Sequence, residues 1–120
     1  MATIVIVDDE EPVRDLLAML LEDAGHRTFK AIHGAQALEL VAREQPDLVI
    51  SDIMMPVLNG AELCRRLKAR TDTRGLPVIL MSSAGTRSAV VAGADGVIEK
   101  PFLLEQVEEM VRRLLPPATT

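Results

Sequence analysis

The sequence predicts a doubly wound α/β domain, a parallel sheet covered by helices on both faces. Short apolar runs alternate five times with longer segments of helical periodicity, the pattern of strands joined by helical crossovers. Most of these runs are continuously apolar instead of alternating, as expected of strands buried on both sides. At 120 residues, 48% of them apolar, the chain can fill one core and has little room for a second domain.

Thr3–Val7 is the first predicted strand. Pro12 opens and Gly25 closes the first helix, on which Val13, Leu16, Leu17, Leu20, Leu21 and Ala24 recur at i, i+3, i+4, i+7 spacing. Arg27–Ala31, the least apolar run, reads as an edge strand. Leu38, Val41 and Ala42 mark a second helix that ends before Pro46. Leu48–Ser51 is the third strand. Leu63, Cys64 and Leu67 mark a third helix opened by Asn59-Gly60. Val78–Met81 is the fourth strand, Thr86–Ala92 a short fourth helix, and Val97–Glu99 the fifth strand. Leu104, Val107, Met110, Val111 and Leu114 form the last helix, stopped by Pro116-Pro117. The expected division is a domain over residues 1–116 and a tail or the start of a linker over 117–120. Right-handed crossovers leave few topologies, and in such sheets the working site lies beyond the carboxyl ends of the strands.

Composition removes several function classes. The net charge is −5, opposite to that of a nucleic-acid or membrane-surface binder. The local basic groups, Arg65, Arg66, Lys68 and Arg70 and then Arg112 and Arg113, fall late in helices, where cations complement the dipole. With two Phe and no Tyr or Trp, the core must be aliphatic, and binding by base stacking is disfavoured. No apolar run approaches the roughly 20 residues that span a bilayer, and the amino terminus does not read as a signal peptide. The lone Cys64 excludes an internal disulfide and sits in an apolar helical pattern, so it reads as a buried filler. A cytoplasmic location is the expectation.

The fold places a particular set of side chains on one rim. Asp8 and Asp9 follow the first strand, Asp52 the third, Ser82 the fourth, and Lys100 the fifth, directly before Pro101. Three close carboxylates repel one another unless a cation intervenes. Magnesium suits an all-oxygen site of this kind. A carboxylate can attack phosphorus to give an aspartyl phosphate, while lysine, hydroxyl and metal neutralise the transferring oxygens. The first turn, Val7-Asp8-Asp9-Glu10-Glu11, has none of the glycines that cradle a dinucleotide pyrophosphate, so that reading fails. Glu10 and Glu11 read as an acidic start to the first helix. His26 and His33 read as ordinary surface residues. Met54 and Met55 are the wrong ligand type for magnesium and read as packing over the acid pocket.

Taken together, Asp8-Asp9, Asp52-Ile53-Met54-Met55-Pro56 with Gly60, Pro77–Ser82, Gly93-Ala94-Asp95 and Lys100-Pro101-Phe102 resemble the receiver domain of two-component response regulators. The resemblance runs from Ile4 to Leu115. It implies a CheY-like (flavodoxin-like) (βα)5 fold with strand order 2-1-3-4-5. It also implies that Asp52 is the phosphoacceptor and that Asp9, Asp52 and the Met54 backbone carbonyl bind Mg2+, with Asp8 acting through water. Lys100 is implied to pair with Asp52 and then with the phosphoryl group, across a cis Lys100–Pro101 peptide. Ser82 is implied as the switch hydroxyl, and the Ser83 amide as a phosphoryl contact. The implied partners are a histidine kinase or phosphotransfer protein and an unidentified output partner. No direct nucleic-acid or membrane binding is expected, and the chain should be a monomer or weak dimer. The family implies a signalling protein and not an enzyme, one that catalyses only its own phosphorylation and dephosphorylation. A phosphorylation-independent interaction module is the competing expectation.

Two departures from the family fall on the output side. Val97 stands where most receivers carry Tyr or Phe, so no ring is there to change rotamer. The segment between Ser82 and Gly93 is about one helical turn short of common relatives, roughly four residues. Gly85 adds freedom at its entrance, and the flanking residues Met54 and Ala84 are apolar. Intact phosphorylation chemistry with a reshaped read-out, and doubtful dimerisation through the usual face, is the resulting expectation.

Overall fold

The computed structural model describes residues 1–83 and 92–115. Its elements are β1 (Thr3–Val7), α1 (Glu11–Asp23), β2 (Arg27–Ala31), α2 (Gly34–Glu44), β3 (Leu48–Asp52), α3 (Gly60–Ala69), β4 (Val78–Ser82), β5 (Gly96–Glu99) and α4 (Leu104–Leu114). All strand pairs are parallel, in the order β2-β1-β3-β4-β5. Residues 86–91 of the expected short helix lie outside the described residues, as do Ala84, Gly85, Pro116-Pro117 and the tail.

The continuous apolar character of the central strands follows from their two-sided burial. Val5, Val7, Val49 and Leu80 pack with Ala37, Leu40 and Val41 of α2 and Leu63, Cys64 and Leu67 of α3. The intervening residues Ile4, Ile6, Ile50, Ile79 and Met81 pack with Leu17 and Leu21 of α1 and Val107 and Val111 of α4. Successive side chains of a strand point to opposite faces, so one run feeds both layers. Cys64 is buried as expected, its thiol near the Ala92 carbonyl at 3.4 Å. β2 is an edge strand, and only Ala31 in it is buried.

Local signals set the helix ends. Pro12 stands in the first turn of α1, and Gly25 follows it at φ 94, a left-handed position that glycine holds without strain. Asn59 caps α3 by accepting the Glu62 amide at 2.8 Å. The face that α1 buries differs from the sequence expectation. Leu17, Ala18 and Leu21 are buried, whereas Leu16 and Ala24 are exposed. Ala18, too small to register in the apolar stripe, takes a buried place on the inner face, and the stripe's outer edge is left in solvent. Lys68 is also more than a complement to the α3 dipole. Its ammonium bonds the carbonyls of Arg74 and Leu76 and the Asp95 carboxylate, which in turn accepts the Val78 amide. The Asp95 of the Gly93-Ala94-Asp95 motif thus ties the entrance of β5 to β4 and α3.

The loop between β3 and α3 holds a strained residue. The Leu58 amide donates to the Pro56 carbonyl at 2.8 Å, closing a three-residue turn on Val57 at φ 69. A β-branched residue with positive φ is a true outlier and costs about 1–3 kcal/mol. Val57 is exposed, so little burial is lost on replacing it. Val57→Asn is expected to raise stability by about 1 kcal/mol, seen as a higher urea midpoint at unchanged slope. An unchanged midpoint would show that the turn carries no strain.

Candidate functional site

The carboxyl ends of β1, β3, β4 and β5 bring Asp8, Asp52, Ser82 and Lys100 to one rim. Register explains the placement. Asp52 is the last paired residue of β3, opposite Met81, and Ser82 the last of β4, opposite Glu99. Asp8, Asp52 and Ser82 are all buried. The Lys100 amide donates to the Ser82 carbonyl at 2.8 Å. Its side chain turns back over the rim, with Nζ 3.2 Å from Asp52 Oδ1 and 3.7 Å from Asp8 Oδ2. The Lys100–Pro101 peptide is cis, as the sequence motif implied.

Electrostatics at the rim are unbalanced toward negative charge. Burial pushes the Asp8 carboxyl above its ordinary range. The Glu10 amide and Lys100 pull it back, and Asp52 and Asp9 push it up again. For Lys100, burial works against the charged form, but attraction to Asp8 and Asp52 outweighs it and raises the pKa. The lysine therefore stays cationic at neutral pH. Even so, Asp8 Oδ2 is buried with no hydrogen-bond partner among the described residues. The Lys100 ammonium, 3.7 Å away, is too far to make a hydrogen bond with it, and a buried carboxylate oxygen without one costs free energy that a closer cation would offset. One carboxylate oxygen from each of Asp8, Asp9 and Glu10 also lies within 4.8 Å of the other two. An all-oxygen cluster with an orphaned buried oxygen fits a hard divalent cation such as Mg2+.

The main chain around the acids is tightly held. The Asp8 amide donates to the Ala31 carbonyl at 3.1 Å, and Asp8 Oδ1 accepts the Glu10 amide at 2.9 Å. The buried Ser51 hydroxyl donates to the Asp52 carbonyl at 2.8 Å. The Ile53 amide bonds the Met81 carbonyl at 3.1 Å, and the Gly60 amide the Ile53 carbonyl at 3.0 Å.

Other residues fall as follows. Asp9 and Ser83 are exposed at the same rim. Met54 is exposed and Met55 half-buried against the core. Glu10 belongs to the carboxylate group as well as to the start of α1, where its side chain makes no cap. Only proximity in space reveals this, since an acid before a helix is commonplace. Ser51 and Arg14 were also missed, because they work on backbone carbonyls: the Ser51 hydroxyl donates to that of Asp52 and the Arg14 guanidinium to that of Asp8. His33 Nδ1 accepts the Gln36 amide at 3.1 Å and caps α2, while His26 Nδ1 accepts the Ala2 amide at 3.2 Å. Both are structural. Val97 is half-buried against the α2/α3 side of the core. A hollow of about 430 Å³ between α2 and α3, lined by Leu38, Val41, Leu67, Arg66 and Arg70 among others, contains none of the rim residues.

Comparison with known proteins agrees with this fold. The family described as the response regulator receiver domain matches residues 4–112. The response regulator MprA of Mycobacterium leprae is 40% identical over 116 residues, covering 93% of this chain and 50% of that protein. The phosphate regulon transcriptional regulatory protein PhoB of Pseudomonas aeruginosa is 37% identical over 122 residues, covering 95% and 53%. The chain thus spans about half the length of the curated relatives it matches. The receiver domain of a signal transduction histidine kinase from Syntrophus aciditrophicus superposes with a TM-score of 0.92 at 32% identity, covering 100% of this chain and 98% of that one. The chemotaxis response regulator CheY4 of Vibrio cholerae superposes with a TM-score of 0.89 at 28% identity, covering 96% and 99%.

Proposed function

This chain belongs to the response regulator receiver domain family, and on that premise we propose that it is a phosphoacceptor signalling domain, with residues 1–116 as the working unit. Asp52 takes a phosphoryl group from a histidine kinase or phosphotransfer protein in the cytoplasm and thereby changes the affinity for an output partner. The observation that carries this reading is Lys100 Nζ held between Asp52 Oδ1 and Asp8 Oδ2, at 3.2 and 3.7 Å. An ammonium there offsets the negative charge of Asp52 now and of the phosphoryl oxygens later.

In the transfer, an Asp52 carboxylate oxygen forms a bond to phosphorus as the bond from phosphorus to the donor's imidazole nitrogen breaks. The imidazole leaves with the electron pair and takes a proton from solvent. Lys100 holds the incoming oxygens, the Ser82 hydroxyl moves to bond the phosphoryl group, and the Ser83 amide donates to it. Asp9, Asp52 and the Met54 carbonyl would hold Mg2+, with Asp8 contributing through water. When bound, the ion supplies charge neutralisation between acids and phosphoryl oxygens. The domain turns over no substrate other than its own phosphoryl group.

Intact mass after incubation with acetyl phosphate and magnesium tests the proposal. The expected result is a gain of one phosphoryl group that disappears in Asp52→Asn and when magnesium is chelated. An aliphatic Val97 at the position where a ring usually moves favours a second reading, a phosphorylation-independent interaction module. Absence of any adduct, with no beryllofluoride complex, would select that reading.

A further inference from the structure

Arg14 has no part in the proposed chemistry, yet it reaches into the metal-side loop. Its Nη1 donates to the backbone carbonyl of Asp8 at 2.7 Å, from a half-buried position one turn into α1. The bond spans six residues and is not part of the helix ladder, which uses the Arg14 amide to the Glu10 carbonyl instead. We propose that Arg14 is a positioning residue for the cation-binding carboxylates, fixing the β1–α1 turn so that Asp8 and Asp9 face the pocket. The proposal rests on the magnesium-dependent reading above.

Three constraints converge on Asp8. Its amide is tied to Ala31 on β2, and its Oδ1 to the Glu10 amide. The remaining freedom is rotation of the peptide that joins Asp8 to Asp9, and the guanidinium on the Asp8 carbonyl removes it. That peptide sets the direction of the Asp9 side chain, which is exposed and has no strand pairing to hold it. With the peptide locked, Asp8 Oδ2 stays buried without a hydrogen-bond partner, its one ion pair the long 3.7 Å contact with Lys100, and it keeps acceptor capacity for a second cation. A hydrogen bond from a charged donor is strong enough to hold such a peptide against thermal motion.

The sign of the mutational effect separates positioning from simple charge. Arg14 is a cation close to an acidic cluster, so removing its charge alone would tighten Mg2+ binding. Loss of positioning would weaken it. Calorimetric titration of the full chain with magnesium chloride, well below the unfolding temperature, is the test. Arg14→Met is expected to weaken Mg2+ binding by about 3- to 10-fold, with Arg14→Lys, which retains a donor, between it and the wild type. If Arg14→Met does not fold, Arg14→Gln, whose amide is too short to reach, gives the same comparison. Binding as tight as or tighter than the wild type in the folded variant would overturn the proposal. A wild type that binds no Mg2+ would instead overturn the magnesium-dependent reading, and the positioning role with it.

Discussion

Gly60→Ala is expected to lower folding stability by about 3 kcal/mol and to abolish phosphorylation of Asp52. A Cβ at this position would lie 2.2 Å from the Asp52 carbonyl oxygen, 2.9 Å from its carbonyl carbon and 3.0 Å from Ile53 Cα. All three are backbone atoms of the segment that carries Asp52, so no side chain can swing aside. The close approach is enforced from both ends. The Gly60 amide donates to the Ile53 carbonyl, and Asn59 caps the helix that Gly60 begins. Relief would have to come from moving the end of β3 away from α3, which drags Asp52 out of line with Lys100. Helix propensity alone predicts the opposite sign, since alanine within a helix gains about 0.5–1 kcal/mol over glycine. Gly75 makes the control, because a Cβ there meets nothing within 4 Å. Urea unfolding followed by circular dichroism should show a large drop in midpoint for Gly60→Ala and almost none for Gly75→Ala. Equal midpoints would mean that the contact relaxes at little cost.

The same junction shows why some of the fold was legible in sequence and some was not. β1 and β2 begin and end where their apolar runs do. β3 and β4 each extend one residue further, to Asp52 and Ser82. Strand pairing is made by the backbone, and apolar patterning is blind to a polar residue that keeps its ladder bonds while turning its side chain to a site. The start of α2 was hidden for another reason. Its first turns carry Gly34, Ala35 and Ala37, too small to register as an apolar stripe, and its cap is a histidine. The rim itself was readable because each member ends a strand or directly follows one, so topology alone brings them together. Arg14, Ser51 and Glu10 were not readable, because they act on carbonyls or through a turn whose geometry no spacing rule encodes.

Lys100→Met is expected to lower stability at pH 7 by about 2–3 kcal/mol and to slow phosphorylation strongly. Removing one partner of a fully buried ion pair costs about 3–5 kcal/mol, because the remaining charge is stranded. A smaller value applies here, since a fifth of the lysine side chain reaches solvent. The pH dependence has a definite sign. Asp8 titrates above its ordinary range in the folded chain, so the folded state binds more protons than the unfolded one in that window, and stability falls as pH rises through it. Without Lys100 the attraction that restrains this shift is gone, and the window extends upward. The deficit of the variant should therefore shrink as pH falls toward the ordinary carboxyl range. Lys100 contributes nothing opposite near neutrality, because its own raised pKa puts the loss of its charge in the alkaline range. Magnesium provides the decisive comparison. An ammonium 3.7 Å from Asp8 Oδ2 repels a second cation, so Lys100→Met should bind Mg2+ more tightly than the wild type while accepting the phosphoryl group more slowly. Tighter binding with slower transfer would separate the two cations into different tasks, one gathering the acids and the other receiving the phosphoryl oxygens. Weaker Mg2+ binding in a folded Lys100→Met would mean instead that the lysine organises the acids and does not compete for them.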